Sequence, residues 1–307
     1  MILLAGGTGR LGTLVAGLLA GRGRDVRVLT RDRSRAQHLG AGVEIIEGDV
    51  GDLAALRKAA TGAQTVVSAI QGFAGTKTAS PASVDRDGNR NLIRAARDAG
   101  AGCLILVSVK DASPEHPMDL MRMKYAAEQE LIGSGLAWVI LRPSAFMETW
   151  CEVLGRPLLE KRKTMVLGRG RNPVNWVSAR DVAGLVDLAA ADPAMQGQVI
   201  DVGGPQNLTM TEFVRIFQHE TGVNGKAGRI PRPFMRLGST AMKPLNPALA
   251  RLIQAGIVMD TWPQAFDASA TRRRYPSVPV TSLAEVVRRD FATSVDVAPA
   301  SSPRAPS

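Results

Sequence analysis

Three glycines near the start of the chain have the spacing to do chemistry. Gly6, Gly9 and Gly12 stand three residues apart in Gly6-Gly7-Thr8-Gly9-Arg10-Leu11-Gly12, between an apolar run and an amphipathic stretch. In a strand–loop–helix context each has a job: one permits the tight turn, one lets backbone N–H groups approach a pyrophosphate, and one lets helix and strand pack closely. The helix that follows presents its unpaired N–H groups and positive dipole end to the phosphates. Thr8, Arg10 and Leu11 share the loop and join the glycines as candidate contacts. The next apolar run, Val26 to Thr30, ends in Arg31. An acid there would accept from a ribose 2′-hydroxyl, whereas a guanidinium pairs bidentately with a 2′-phosphate. Asp32 follows, but adjacent residues leaving a strand point to opposite sides, so the two should not both face the ribose. The pattern predicts a bound dinucleotide, NADP(H) in preference to NAD(H). Two further segments fall on the same rim. Asp49 and Val50 follow the third strand and are placed to flank an adenine; Ser68, Ala69 and Ile70 end the fourth, beside the ribose and nicotinamide.

These residues need a parallel sheet to bring them together, and the first half of the chain reads as one. Strands at Ile2–Leu4, Val26–Thr30, Val43–Glu47, Thr65–Ala69, Cys103–Ser108 and Ala137–Leu141 alternate with helices at Leu11–Arg22, Arg35–Leu39, Leu53–Ala60, Asp85–Ala99 and Met118–Gly133, most of them stopped by glycine. Such alternation means βαβ units. After Pro143 the pattern changes. A helix is predicted over Phe146–Leu159, short strands at Lys163–Leu167, Asn175–Val177 and Val199–Val202, helices at Ala179–Ala191 and Thr211–Thr221, and mostly helix from Ile230 to Asp290. The predicted class is α/β: a Rossmann-type, doubly wound parallel sheet over 1–150, completed by about 175–203, with a small, mostly helical C-terminal substrate lobe over 151–292. The Ala/Ser/Pro-rich end, 293–307, reads as a disordered tail.

Composition narrows the function classes. The chain has 307 residues, 45% hydrophobic and 21% charged, which excludes wholesale disorder. Two cysteines, Cys103 and Cys151, exclude a disulfide framework, and three scattered histidines offer no metal spacing. Cys103 reads as buried strand packing, Cys151 has no base partner in sequence reach, and His116 reads as a surface-loop residue. The net charge of +10 invites nucleic acid, but the basic clusters are short and aromatics make only 4%, so nucleic acid is an unlikely partner. No run is long and apolar enough for a membrane span, and the first residues read straight into a strand with no charged leader, which points to the cytoplasm. Phe73, Met118, Met147, Trp150 and Trp176 are candidate walls of an apolar substrate pocket beside the nicotinamide.

The runs GGTGRLG, RVLTRD, GDVGDL, VVSAI, VDRDGNRNLIRAARDAG, LILVSV, KYAAEQELIGSGLAWVILRPSAF and NWVSARDVA resemble the short-chain dehydrogenase/reductase superfamily, in its atypical NmrA-like branch. The likeness covers residues 1 to about 222 and, more loosely, to about 292. The wording around MKYAAEQELIGSGLAWVILRPSAFMETW is also similar to a subgroup that includes photosystem assembly factors. The resemblance implies a Ser at the end of the fifth strand and a Tyr-xxx-Lys pair on the next helix. It assigns Ser108 and Lys124 to the Ser and Lys places and Leu120 to the Tyr place, so the usual proton donor is absent. It also implies that Pro143 to Phe146 passes the nicotinamide carboxamide. Lys124 is then a ribose anchor or a proton donor, and Ser108 a helper. The function implied is an NADP(H)-dependent oxidoreductase acting on a small hydrophobic quinone, enone or carbonyl. The alternative is an NADP(H)-binding redox sensor or assembly protein without catalysis.

Overall fold

The computed structural model describes residues 1–40, 42–75 and 78–292; the predicted tail over 293–307 lies outside the described residues. In chain order the elements are β1 (Ile2–Ala5), α1 (Arg10–Gly21), β2 (Val26–Thr30), β3 (Val43–Glu47), α2 (Leu53–Ala60), β4 (Thr65–Ser68), α3 (Asn89–Asp98), β5 (Cys103–Val107), α4 (Asp119–Ile132) and β6 (Ala137–Pro143). Then follow β7 (Ala145–Phe146), α5 (Met147–Trp150), α6 (Arg156–Lys161), β8 (Lys163–Leu167), β9 (Pro173–Val177), α7 (Ala179–Ala191), β10 (Gln198–Val202), β11 (Asn207–Thr209), α8 (Met210–Thr221) and β12 (Lys226–Ile230). Four helices close the described chain: α9 (Arg232–Met242), α10 (Pro247–Thr261), α11 (Ser269–Arg274) and α12 (Leu283–Asp290).

Seven strands form one parallel sheet in the order β3-β2-β1-β4-β5-β6-β10. Chain direction across the sheet reverses between β1 and β4, which opens a crevice at their carboxyl ends, the usual ligand position in such sheets. Strands buried on both faces read as continuous apolar runs, and both ILLA of β1 and CLILV of β5 are buried throughout. Their side chains alternate between two cores. Leu4 and Ile105 meet Val15, Leu19 and Val182 of α1 and α7 on one face; Leu3 and Leu104 meet Leu56, Leu92 and Leu131 of α2, α3 and α4 on the other. A further core follows β6, where Trp150, Trp176, Phe213 and Phe217 pack with Leu283 and Phe291.

Several elements depart from the sequence reading. The helix expected from Asp85 starts earlier, as a wide π-type turn over Pro81–Gly88 capped reciprocally by Ser80 and Ser83. The helix expected over Phe146–Leu159 is interrupted: Phe146 pairs in β7, and a second π-type turn over Cys151–Gly155 separates α5 from α6. Gly155 is there because a Cβ would lie 2.2 Å from the Phe217 ring. The short β7, β11 and β12 carry no alternation long enough to read. His116 is buried, not on the surface: its Nδ1 accepts from the Met118 N–H at 3.1 Å, its ring meets Trp262 edge-on, and burial lowers its pKa. Both cysteines are buried, and burial pushes the Cys103 thiol up to about 11, away from nucleophile character.

One buried carboxylate ties the last described segment to the sheet's helical layer. Asp181 of α7 accepts from the Thr281 N–H at 2.9 Å and hydroxyl at 2.6 Å. Burial raises its pKa from 3.8 to about 6 despite those bonds. The folded chain therefore holds this proton more tightly than the unfolded chain between those values. Its contribution to stability should fall as pH rises from 4 to 6, by ~2–3 kcal/mol. Urea midpoints across this range check it: Asp181→Asn should flatten that part of the profile, and an unchanged profile refutes the assignment.

Candidate functional site

The glycine loop builds a cradle that only bare backbone permits. Gly6 has φ +88°, and a Cβ on it would lie 2.6 Å from the Ala69 carbonyl oxygen. A Cβ on Gly12 would lie 2.1 Å from the Gly6 carbonyl oxygen, so α1 meets the loop without any side chain between them. Gly9 caps α1 with no side-chain bond, and no acidic residue occupies the first turn. The amides of Arg10, Leu11 and Gly12 have no acceptor within the helix and face the cleft, the arrangement a pyrophosphate needs.

The cleft, of about 450 Å³, is lined by Gly6, Thr8, Gly9, Arg10, Leu11, Gly12, Arg31, Asp49, Val50, Ala69, Ile70, Ser108, Lys124 and Phe146, together with Arg35 and Ser83. Asp32 turns away: it caps the following turn by accepting from the Ser34 hydroxyl at 2.6 Å and amide at 2.9 Å, and these bonds lower its pKa. Arg31 is left at the rim, exposed, with Asp49 at 3.8 Å beside it. Asp49 also accepts from the Gly51 N–H at 2.7 Å, so it shapes its own turn. Arg10 reaches Glu152 at 3.2 Å, across the mouth.

At the inner end the charges are buried and paired. Lys124, 2% exposed, sends its ammonium to the Ile70 carbonyl at 2.8 Å, the Val107 carbonyl at 3.0 Å and the Asp85 carboxylate at 3.1 Å. The other Asp85 oxygen accepts from the Gly72 N–H at 2.8 Å. Burial pushes the Asp85 carboxyl up, against the pull of Lys124. The Ser108 hydroxyl donates to buried Glu128. Glu128 is gripped in turn by Arg142 through Nε at 2.9 Å and Nη2 at 2.5 Å. Asp85, Glu128 and Arg142 escaped the sequence reading, although a signal was there: Leu120, Lys124, Ala127, Glu128 and Leu131 form the buried stripe of α4, and charge on an apolar stripe requires a partner.

Other expected site residues lie elsewhere. Ser68 is buried beneath the rim and donates to Asn89 at 2.5 Å, so it touches no cleft surface. Pro143 is buried in β6, where its carbonyl accepts from the Lys110 N–H at 2.8 Å. Met147, Trp150 and Trp176 belong to the core that follows β6. Trp176 packs 4.8 Å from Phe213 and donates its indole N–H to Leu208, which leaves it no surface for a pocket wall. Phe73 and Met118 form a small apolar cluster with Met121 and with Ala255 and Val258 of α10, beside the cleft rather than lining it. Among the described residues, no group of His, Cys, Asp or Glu could hold a metal ion, and no helix is long and apolar enough to cross a membrane.

A doubly wound parallel sheet with an anion cradle at its switch point defines a dinucleotide-binding protein. Residues 6–193 match the family model described as NAD(P)H-binding, and the chain belongs to that family, in the NmrA-like branch of the short-chain dehydrogenase/reductase superfamily. It is 31% identical to the NAD(P)H azoreductase of Xenophilus azovorans over 72% of this chain and 74% of that one. It is 32% identical to the (4-alkanoyl-5-oxo-2,5-dihydrofuran-3-yl)methyl phosphate reductase of Streptomyces griseus, over 69% and 71%. The photosystem II assembly factor Ycf39 of Synechocystis is 25% identical over 76% and 72%. Among solved structures, the NADPH-dependent quinone oxidoreductase of Escherichia coli complexed with NADPH superposes with a TM-score of 0.77 at 23% identity, over 95% of this chain and all of that one. The fold and the reductase relatives support an NAD(P)H-utilising oxidoreductase of this clan.

The Lys124–Asp85 pair is testable as a unit. Removing one partner of a buried pair leaves an uncompensated charge and costs about 3–5 kcal/mol, whereas replacing both by apolar residues costs far less than the sum. Asp85→Leu and Lys124→Met should each lower the urea midpoint sharply, and the double variant should recover much of the loss. Additive losses refute the pairing.

Proposed function

We propose that this chain is an NADP(H)-dependent oxidoreductase that reduces a small hydrophobic acceptor, a quinone or conjugated enone more readily than a simple carbonyl. When bound, the reduced nicotinamide supplies the hydride, and the protein supplies position and surroundings. The observation that supports this reading is that the protic side chains the superfamily pattern would use are engaged elsewhere or missing. Lys124 donates to the Ile70 and Val107 carbonyls and is ion-paired with Asp85, Ser108 donates to Glu128, and Leu120 has no proton to give. A plain ketone builds up alkoxide charge and needs an acid, a contribution of about 10²–10⁴ in rate. A quinone or enone spreads the charge over a conjugated system and takes its proton from solvent afterwards. The names of the azoreductase, the oxo-dihydrofuran reductase and the quinone oxidoreductase point the same way. Lys124 acts here as an anchor: it fixes the Ile70 and Val107 carbonyls and so the shape of the ribose end.

Arg31 carries the preference for the phosphorylated cofactor, since its guanidinium stands at the strand end where a 2′-phosphate would meet it. Arg31→Ala should weaken NADPH binding by about tenfold or more and NADH binding by less than about twofold, read by fluorescence titration. Equal losses remove the assignment.

The same occupied side chains, together with the likeness to Ycf39, favour a second reading: an NADP(H)-binding sensor or assembly protein that does not turn the cofactor over. NADPH oxidation separates the two. The reductase reading expects soluble quinones and enones to be consumed at least about 10²-fold faster than saturated ketones of the same size. Tight NADPH binding with no consumption across that panel overturns it in favour of the second.

A further inference from the structure

From Thr221 to Met259 the chain has six lysines and arginines and no aspartate or glutamate. This stretch forms β12 and, of the helical hairpin of α9 and α10, all but the last two residues of α10, the first of which is the buried Asp260. The inner side of the hairpin is well packed: Met235 is buried, Gly238 faces Ile253, and Gly256 lies against Leu167 and Met235. The outer side is not. Phe234 is 69% exposed, Leu237 71% and Leu245 76%, and Leu249 also stands in solvent. Phe234, Leu237 and Ala241 share one face of α9 at helical spacing. Lys226, Arg229, Arg236 and Lys243 are exposed around them, and among the described residues none is in an ion pair. Three carboxylates in or beside the hairpin are already engaged. Asp260 is buried and paired with Arg232 at 3.0 Å, Asp119 of α4 is paired with Arg122, and Glu220 with Arg288.

We propose that the α9–α10 hairpin is a docking face for an anionic lipid bilayer surface. Protruding apolar side chains ringed by unpaired cations fit the boundary between headgroups and acyl chains, where the apolar tips enter and the cations meet lipid phosphates. Neither helix is long enough to span, so the hairpin would lie on the surface. A second copy of this chain fits less well: a two-fold contact would set the same unpaired cations against one another. Nucleic acid would satisfy the cations and leave Phe234, Leu237 and Leu245 without a partner. The other face of α10 reaches the cleft mouth, where Arg251 donates to the Phe73 and Gly75 carbonyls and Ala255 and Val258 pack on Met118. The docking face and the acceptor end of the cleft thus share one helix. The inference stands apart from the reductase reading, because lipid binding needs no turnover.

Sedimentation of the full chain with vesicles tests it. The chain should bind vesicles of phosphatidylcholine containing about 30% phosphatidylglycerol, and should not bind phosphatidylcholine alone. Binding should be lost in about 0.5 M salt. Phe234→Ser with Leu237→Ser, and separately Arg236→Glu with Lys243→Glu, should each lower the bound fraction about tenfold or more. All four positions are exposed and outside the cleft, so NADPH binding and the melting temperature of both variants should match the parent; this control separates loss of docking from loss of fold. The proposal is overturned if the parent ignores anionic vesicles, or if neither pair of substitutions changes binding. It is also overturned if light scattering shows a dimer that the Phe234/Leu237 pair dissolves, or if a nucleic-acid shift is abolished by the charge reversals while vesicle binding persists.

Discussion

The ammonium of Lys124 is where the two halves of the crevice are held together. Its partners leave β4 at Ile70, leave β5 at Val107, and sit on the π-type turn at Asp85. A parallel sheet satisfies its own backbone groups only along the strands, and the groups just past the strand ends need other partners. Here one buried cation supplies donors to two of them, and Asp85 accepts from a third, the Gly72 N–H. The π-type turn makes this reach possible. It carries Asp85 inward, sets the Asn89 amide on the Asp85 carbonyl at 2.6 Å, and brings Gly88 so close to Val50 that a Cβ would lie 2.7 Å from its side chain. The Val50 side and the Ile70 side of the rim are thus positioned by one short piece of chain.

Much of this was legible in the sequence, and the reasons are local. Strands such as Cys103–Val107 are buried on both faces and read as unbroken apolar runs, and glycine stops such as Gly23, Gly62 and Gly100 take positive φ, as the end of a helix asks. The glycine loop was readable because its spacing expresses contacts of backbone on backbone. What was hidden depends on register or on distant partners. A π-type turn adds a residue without changing composition, so Asp85 could not be placed. Tryptophans and methionines look alike in a core and in a pocket wall, and Trp176 was settled by Phe213 and Leu208, more than thirty residues away. His116 was hidden for the same reason: its ring packs on Trp262, far along the chain.

The positive charge of the chain is sorted by place. Arg10, Arg31 and Arg35 stand along the cleft, where they outnumber the Asp49 carboxylate and favour an anionic cofactor. A separate group lies on the outer side of the α9–α10 hairpin, among residues that do not line the cleft. The two uses differ in their surroundings. At the cleft the cations are joined by helix-terminal amides and no exposed apolar side chains, which suits a soluble phosphate; on the hairpin they ring Phe234 and Leu237, which suits a surface with an apolar interior.

The departure from the superfamily's proton donor is more than one lost side chain. In the pattern implied by resemblance, Lys lowers the Tyr pKa and Ser helps hold the reacting oxygen. Here Leu120 is buried in the apolar stripe of α4, Ser108 gives its proton to Glu128, and Glu128 is neutralised by Arg142. Placing a hydroxyl at Leu120 would bring a polar group into that stripe, beside a lysine already engaged by two carbonyls and a carboxylate and a serine already turned away. The partners have been reassigned together, each satisfying a buried neighbour. On the proposed reductase reading, a site whose polar groups are engaged with one another in this way suits conjugated acceptors, which need no proton donor at the moment of hydride transfer.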